Sequence, residues 1–221
     1  MILLFSGGID SYAAWHYLGK PETVYFDLHT PYSRKEIKVV KELVPNAIIE
    51  DCLSLRRRQV GEKAYIPFRN LYLAMLAAKY SNIIVIVGIR GDNVSDKNEE
   101  IFQDFSKLLS KMEDNINIEV ISPFWEWTKE EIVRWFLQNA GNEEDIKKTV
   151  SCYSKEDTNY CGACPSCFRK WCAFRINGID IQFHNEGLME EYYGRAKEGK
   201  YTTERNKGII QELDAYRSCG Y

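Results

Sequence analysis

The first residues, Met1-Ile2-Leu3-Leu4-Phe5, run without a break into Ser6-Gly7-Gly8-Ile9-Asp10-Ser11. An apolar run of five suits a buried strand. The two glycines allow positive φ and let the backbone approach another group closely, and Asp10 or Ser11 can cap a helix beyond them. Strand, tight turn and helix in that order make half of a βαβ unit. The pattern then recurs: apolar runs at 23–28, 47–49, 83–87 and 118–121 alternate with helical stretches at 11–18, 33–43, 68–80, 99–112 and 128–137. Ile83-Ile84-Val85-Ile86-Val87 is wholly β-branched, as expected of a central parallel strand covered on both faces. Thr128 with Glu131 three residues later forms a capping box. The expected fold class is therefore α/β, a doubly wound parallel sheet, and such sheets bind ligands at the C-terminal ends of their strands.

The alternation stops near residue 142. Residues 1–142 are read as one α/β domain that carries the glycine turn. Residues 143–221 are read as a metal-binding region followed by a polar tail with two short helices. A chain of 221 residues, 45% hydrophobic, buries one sizeable core. The formal net charge of −3 weighs against nucleic acid as partner and favours a small-molecule substrate. No run of about 18 apolar residues exists, so no membrane span is expected, and the opening run lacks the basic flank and cleavage site of a signal peptide. Together with clustered cysteines this places the chain in the reducing cytoplasm.

The glycine turn and the helix N-terminus after it present several N–H groups in one direction, which makes a cradle for phosphate. The Walker loop is longer and ends in a lysine; no lysine follows here, so terminal phosphoryl transfer by a P-loop enzyme is not supported. Of the seven cysteines, Cys152, Cys161, Cys164 and Cys167 follow the spacing C-x8-C-x2-C-x2-C, with Gly162 at the turn, while Cys52 and Cys219 stand apart. Four thiolates close a tetrahedral Zn²⁺ shell with no position for water, hence a structural metal; by spacing alone an iron–sulfur cluster remains the alternative. Cys172 is read as a spare thiol. Arg56-Arg57-Arg58 reads as a solvated basic turn and the tryptophans as packing groups.

The segment Phe5-Ser6-Gly7-Gly8-Ile9-Asp10-Ser11 resembles the SGGxDS loop of the PP-loop ATP pyrophosphatases. Ile66-Pro67-Phe68-Arg69-Asn70-Leu71, Gly88, the loop from Asp92 to Lys97, Ser122-Pro123, the stretch Trp127-Thr128-Lys129-Glu130-Glu131 and the cysteine cluster follow in order. Together they resemble the 7-cyano-7-deazaguanine synthase family over about residues 1–177. The chain departs from that family at residues 27–32, where a YGQ-like segment is expected, and at Val94-Ser95-Asp96-Lys97, where a YPDC-like loop is expected.

The resemblance implies an ATP-dependent ligase. A carboxy-deazaguanine would attack the α-phosphorus of ATP, ammonia would displace AMP, and a second activation would allow dehydration to the nitrile. It implies ATP held by Phe5, Ser6, Gly7, Gly8, Ile9, Asp10 and Ser11, with Asn70 and Gly88. Mg²⁺ would be placed by Asp10, and Arg69 would face a carboxylate or phosphate. Asp96 or Asp92 would receive the guanine-like N–H edge, and Zn²⁺ would sit on Cys152, Cys161, Cys164 and Cys167. Ser6, Asp10, Arg69 and Asp96 are thus the catalytic candidates, and a homodimer is implied. The alternatives are a PP-loop enzyme that thiolates tRNA or forms lysidine, and an adenylating enzyme for a related deazapurine.

Overall fold

A computed structural model of the chain describes every residue except 52, 59, 61–64, 93, 155, 156, 202 and 219–221, and the side chain at 204. Cys52 and Cys219 therefore lie outside the described residues. The expected α/β architecture is present. Strands β1 (Ile2–Leu4), β2 (Glu22–Phe26), β3 (Ile48–Glu50), β4 (Ile83–Val85) and β5 (Glu119–Ile121) form one parallel sheet in the order β3-β2-β1-β4-β5.

Each strand feeds two cores because successive side chains leave opposite faces. Leu3, Phe5, Tyr25, Val85 and Val87 enter one core, with α1 (Ile9–Tyr17), α2 (Ser33–Leu43) and α5 (Lys129–Asn139) packed over it. Ile2, Val24, Phe26, Ile84 and Ile86 enter the other, beneath α3 (Arg69–Ala77) and α4 (Glu99–Met112). Burial on both faces is why residues 83–87 show no polar alternation. The capping box forms as expected, with Thr128 Oγ1 accepting from the Glu131 N–H and Glu131 reaching back to the Thr128 N–H at 2.7 Å.

Two elements depart from the sequence reading. The helix expected at 68–80 begins at Arg69, because Phe68 is left-handed at φ 60° and acts as its N-cap. The cysteine region, read as aperiodic, contains a twelve-residue helix, α7 (Pro165–Ile176). Phe168 and Trp171 face a third core made with the tail, whereas Ala173 and Phe174 belong to the first core. A helix buried on two sides has no single apolar stripe, so the 3.6-residue period is absent from its sequence. After the short α6 (Glu143–Lys147), the tail supplies α8 (Glu186–Lys197) and α9 (Thr203–Ser218), which pack on each other and on α7. Among the described residues no helix is long and apolar enough to cross a membrane.

Candidate active site and metal centre

The strand order reverses between β1 and β4: the chain winds outward from β1 to β3 on one side and from β4 to β5 on the other. The connections leaving the C-terminal ends of β1 and β4 run to opposite faces of the sheet and leave a crevice between them. A cavity of about 300 Å³ opens there. Phe5, Ser6, Gly8, Ile9, Asp10 and Ser11 line it at the end of β1, and Tyr25, Glu36, Arg69, Asn70, Asp92, Lys129 and Arg169 form much of the remaining wall.

The glycine turn is built for that position. Gly7 is left-handed at φ +71°, and a Cβ there would lie 3.1 Å from Val39. Its carbonyl accepts from the Val150 N–H at 2.9 Å, so the cradle is propped from behind by the chain that leads into Cys152. Gly8 is the N-cap of α1, and Ser11 Oγ donates to its carbonyl at 3.1 Å. Ser6 Oγ and Ser11 Oγ lie 3.3 Å apart at the mouth of the loop.

Charge in the cavity is concentrated and mixed. Five basic side chains line it (Arg69, Lys97, Lys129, Arg169 and Lys170) against three acidic ones, Asp10, Glu36 and Asp92. A chain of net charge −3 thus carries a locally positive pocket, which suits a polyphosphate. Lys129 Nζ donates to both oxygens of Asp10 at 2.6 and 2.7 Å. Asp92 pairs with Lys97 at 2.8 Å and Arg169 at 3.3 Å. Burial would raise the Asp92 carboxyl, but these two cations outweigh it and hold the group well below the usual carboxylate range. Glu36 behaves oppositely. Burial dominates and pushes its carboxyl up to about 7, even though the Tyr25 hydroxyl donates to it at 2.7 Å.

Most of the residues anticipated for nucleotide and substrate therefore share one cavity: Phe5, Ser6, Gly8, Ile9, Asp10, Ser11, Arg69, Asn70 and Asp92. Gly7 stands behind the lining as the conformational hinge of the loop. Asp96 is turned away from the cavity. Its carboxylate accepts from the Asn70 backbone N–H at 3.1 Å and side chain at 3.0 Å, fixing the start of α3. Gly88 meets the Trp125 ring, which a Cβ would overlap at 1.9 Å, so its lack of a side chain serves packing. Arg56, Arg57 and Arg58 are exposed, and His29 pairs with Asp51 outside the cavity lining. From the sequence Lys129 stands out only within the stretch 127–131 and with no role, and Glu36 and Arg169 are not singled out. For Arg169 and Lys170 the available signal was two cations inside the apolar run from Cys167 to Phe174.

The four cysteines converge as expected. Their sulfurs all lie within 4.8 Å of one another, and Cys161 Sγ is 3.8 Å from Cys167 Sγ. Thiolates at about 2.3 Å from a tetrahedral Zn²⁺ are about 3.8 Å apart, so the donor set fits that ion in kind and in size. Gly162 is left-handed at φ +65°, and its carbonyl accepts from the His184 N–H at 2.7 Å. Cys164 caps α7 and Pro165 opens it, a position where a missing N–H costs nothing. Cys172 stays out of the cluster, buried in the tail core. From α7, Lys170 Nζ donates to the Thr149 carbonyl at 2.6 Å, to Thr149 Oγ1 at 3.1 Å and to the Lys147 carbonyl at 3.2 Å. The helix that carries Cys167 thus fixes the segment whose Val150 supports Gly7.

Residues 22–178 match the profile of a family described as queuosine biosynthesis protein QueC. Among curated proteins the chain is similar to the 7-cyano-7-deazaguanine synthase of Methanococcus aeolicus, 29% identical over 130 residues, covering 54% of this chain and 55% of that protein. It is also similar to the proteins of the same name from Methanocaldococcus jannaschii (26% identity, 66% of this chain and 67% of the relative) and Methanothermobacter thermautotrophicus (32%, 55% and 56%). The matched stretch thus spans little more than half of the first and third of these relatives.

Proposed function

The chain belongs to the queuosine biosynthesis protein QueC family, and on that premise we propose that it is an ATP-dependent ligase converting 7-carboxy-7-deazaguanine and ammonia to 7-cyano-7-deazaguanine through adenylated intermediates. The observation that carries the reading is the glycine turn of residues 6–8 at the switch point of the sheet, opening into a cavity lined by five basic side chains.

Within that reading Ser6, Gly7, Gly8 and Ser11 hold the pyrophosphate end of ATP through backbone N–H groups and hydroxyls. Lys129 and Arg169 border the same cavity and oppose the charge that grows on the phosphates in the transition state. Arg69 offers a forked donor to the carboxylate or a phosphate. Asp10 contributes to holding Mg²⁺, a hard cation that takes oxygen ligands and shields polyphosphate charge; its two oxygens now face Lys129, so cation and ammonium compete for them. Zn²⁺ on Cys152, Cys161, Cys164 and Cys167 is structural, since four protein sulfurs leave no position for a substrate. A homodimer acting in the cytoplasm on a free base, without nucleic acid, completes the proposal.

Incubation with ATP, ammonium and 7-carboxy-7-deazaguanine should yield AMP and a product lighter by the conversion of carboxylate to nitrile, read by mass spectrometry. Absence of both, with tight and strongly salt-dependent binding of tRNA, would instead support a tRNA-modifying PP-loop enzyme.

A further inference from the structure

A guanine-like base presents two adjacent donors, the ring N1–H and the exocyclic amino group. An ionised carboxylate is the side chain that only accepts, with two oxygens at matching separation. Both carboxylates expected for that task have partners inside the protein. Asp96 is bonded to Asn70, and Asp92 is clamped between Lys97 and Arg169. Two other carboxyls border the cavity, and Asp10 has both of its oxygens bonded to Lys129, which leaves Glu36. Glu36 stands on α2, at the end of β2, and uses one oxygen, Oε2, for the Tyr25 hydroxyl at 2.7 Å. Among the described residues no hydrogen bond engages its Oε1.

A second, independent feature lies beside it. Tyr32, also in the cavity wall, is only 5% exposed, and its hydroxyl has no hydrogen-bond partner among the described residues. A buried hydroxyl without a partner is costly and rare. It is accounted for when the partner is a molecule that enters the cavity. Tyr32 and Tyr153 stand 4.9 Å apart between centroids at 59°, so the same wall offers aromatic surface to a flat ring system.

We infer that Glu36 and Tyr32 form the edge that reads the base: the Glu36 carboxylate accepts from the N1–H and 2-amino pair, and the Tyr32 hydroxyl supplies a further hydrogen bond to the same ring. This deepens the proposed function and rests on it. Both residues lie in or next to the segment at 27–32 where the chain departs from its family. The substrate is read from α2, while the phosphates are read from the glycine turn. An adenine-like edge, which offers an acceptor at N1, would place lone pairs against the carboxylate and be rejected.

The test is calorimetric titration of the full chain with 7-carboxy-7-deazaguanine and with the same molecule lacking the 2-amino group, with ATP titrated separately. Wild type should prefer the amino compound by about 100-fold, since a polar site left unpaired rejects strongly. Glu36→Gln should erase that preference and leave ATP affinity within about twofold. Tyr32→Phe, which removes a hydroxyl with no hydrogen-bond partner among the described residues, should fold as wild type and weaken both compounds alike by about fivefold, the worth of one hydrogen bond. A preference that survives Glu36→Gln, or affinities untouched by Tyr32→Phe, overturns the assignment while the ligase reading stands. Wild type that binds neither compound overturns the ligase reading, and this assignment with it.

Discussion

The cysteine cluster and the cavity are both gatherings of polar side chains inside the fold, and they are built on opposite plans. The four sulfurs lie within 4.8 Å of one another and sit against a core of Phe168, Trp171, Phe183 and Tyr192. That arrangement has the size to close on a single ion. The cavity holds its charges apart around about 300 Å³, keeps Glu36 in a setting that disfavours its ionised form until donors reach it, and leaves the Tyr32 hydroxyl without a hydrogen-bond partner among the described residues. On the proposed reading one cluster stabilises the fold by being complete, and the other retains unsatisfied groups because completion is left to ligands.

The largest effect expected from this contrast is at the cluster. Cys164→Ser removes one ligand at the N-cap of α7, the helix shared by two cores. Loss of the metal should cost about 4 kcal/mol or more, with a lower melting temperature by calorimetry and loss of zinc by elemental analysis. Chelation of the wild type should do the same. A zinc-free variant melting like wild type would break the comparison.

The cavity predicts the reverse sign. Burial raises the Glu36 carboxyl from its ordinary 4.5 to about 7, while Tyr25, Arg69 and Lys35 favour the ion and Asp27 opposes it. Between these values the folded chain keeps a proton that the unfolded chain has released. The associated stability is therefore fully present below pH 4.5 and is lost as pH rises through about 7. Allowing for partial exposure, the loss is about 2 kcal/mol. Glu36→Gln should flatten that slope in denaturant titrations at pH 5, 6, 7 and 8, leaving the variant more stable than wild type at pH 8 while it binds the base less well. An unchanged slope would mean that the cavity carries no such strain.

The two plans also differ in how far they can be read from sequence. The four clustered cysteines fall within sixteen residues, 152–167, and the glycine turn with its serines within six, 6–11, so local spacing is enough to pick out both groupings. The cavity wall joins Glu36, Arg69, Asp92, Lys129 and Arg169 from separate elements, and only the winding of the sheet brings them together. Asp96 illustrates the difficulty. A loop carboxylate near a strand end has the right chemistry for a ligand, yet here it caps the start of α3 through Asn70. Helix α7 was hidden because it is buried on two sides. With it went the Lys170 contacts to Thr149, and so the route by which the helix that carries Cys167 supports Val150 and Gly7.

The smallest expected effect concerns Cys172, and it defines where the cluster ends. This thiol lies five residues beyond Cys167, is 3% exposed and packs in the tail core. Burial pushes it well above the ordinary thiol range, which disfavours the thiolate that a nucleophile or metal ligand needs. Cys172→Ala removes one buried sulfur and should cost about 1 kcal/mol. Zinc content should remain at one per chain. The two variants together separate packing from ligation. Both delete a sulfur near the same helix, but only the Cys164 change opens a shell that four thiolates had closed. If Cys172→Ala instead released metal, the closed four-sulfur plan would be wrong, and the cluster would share with the cavity the capacity to exchange its partners.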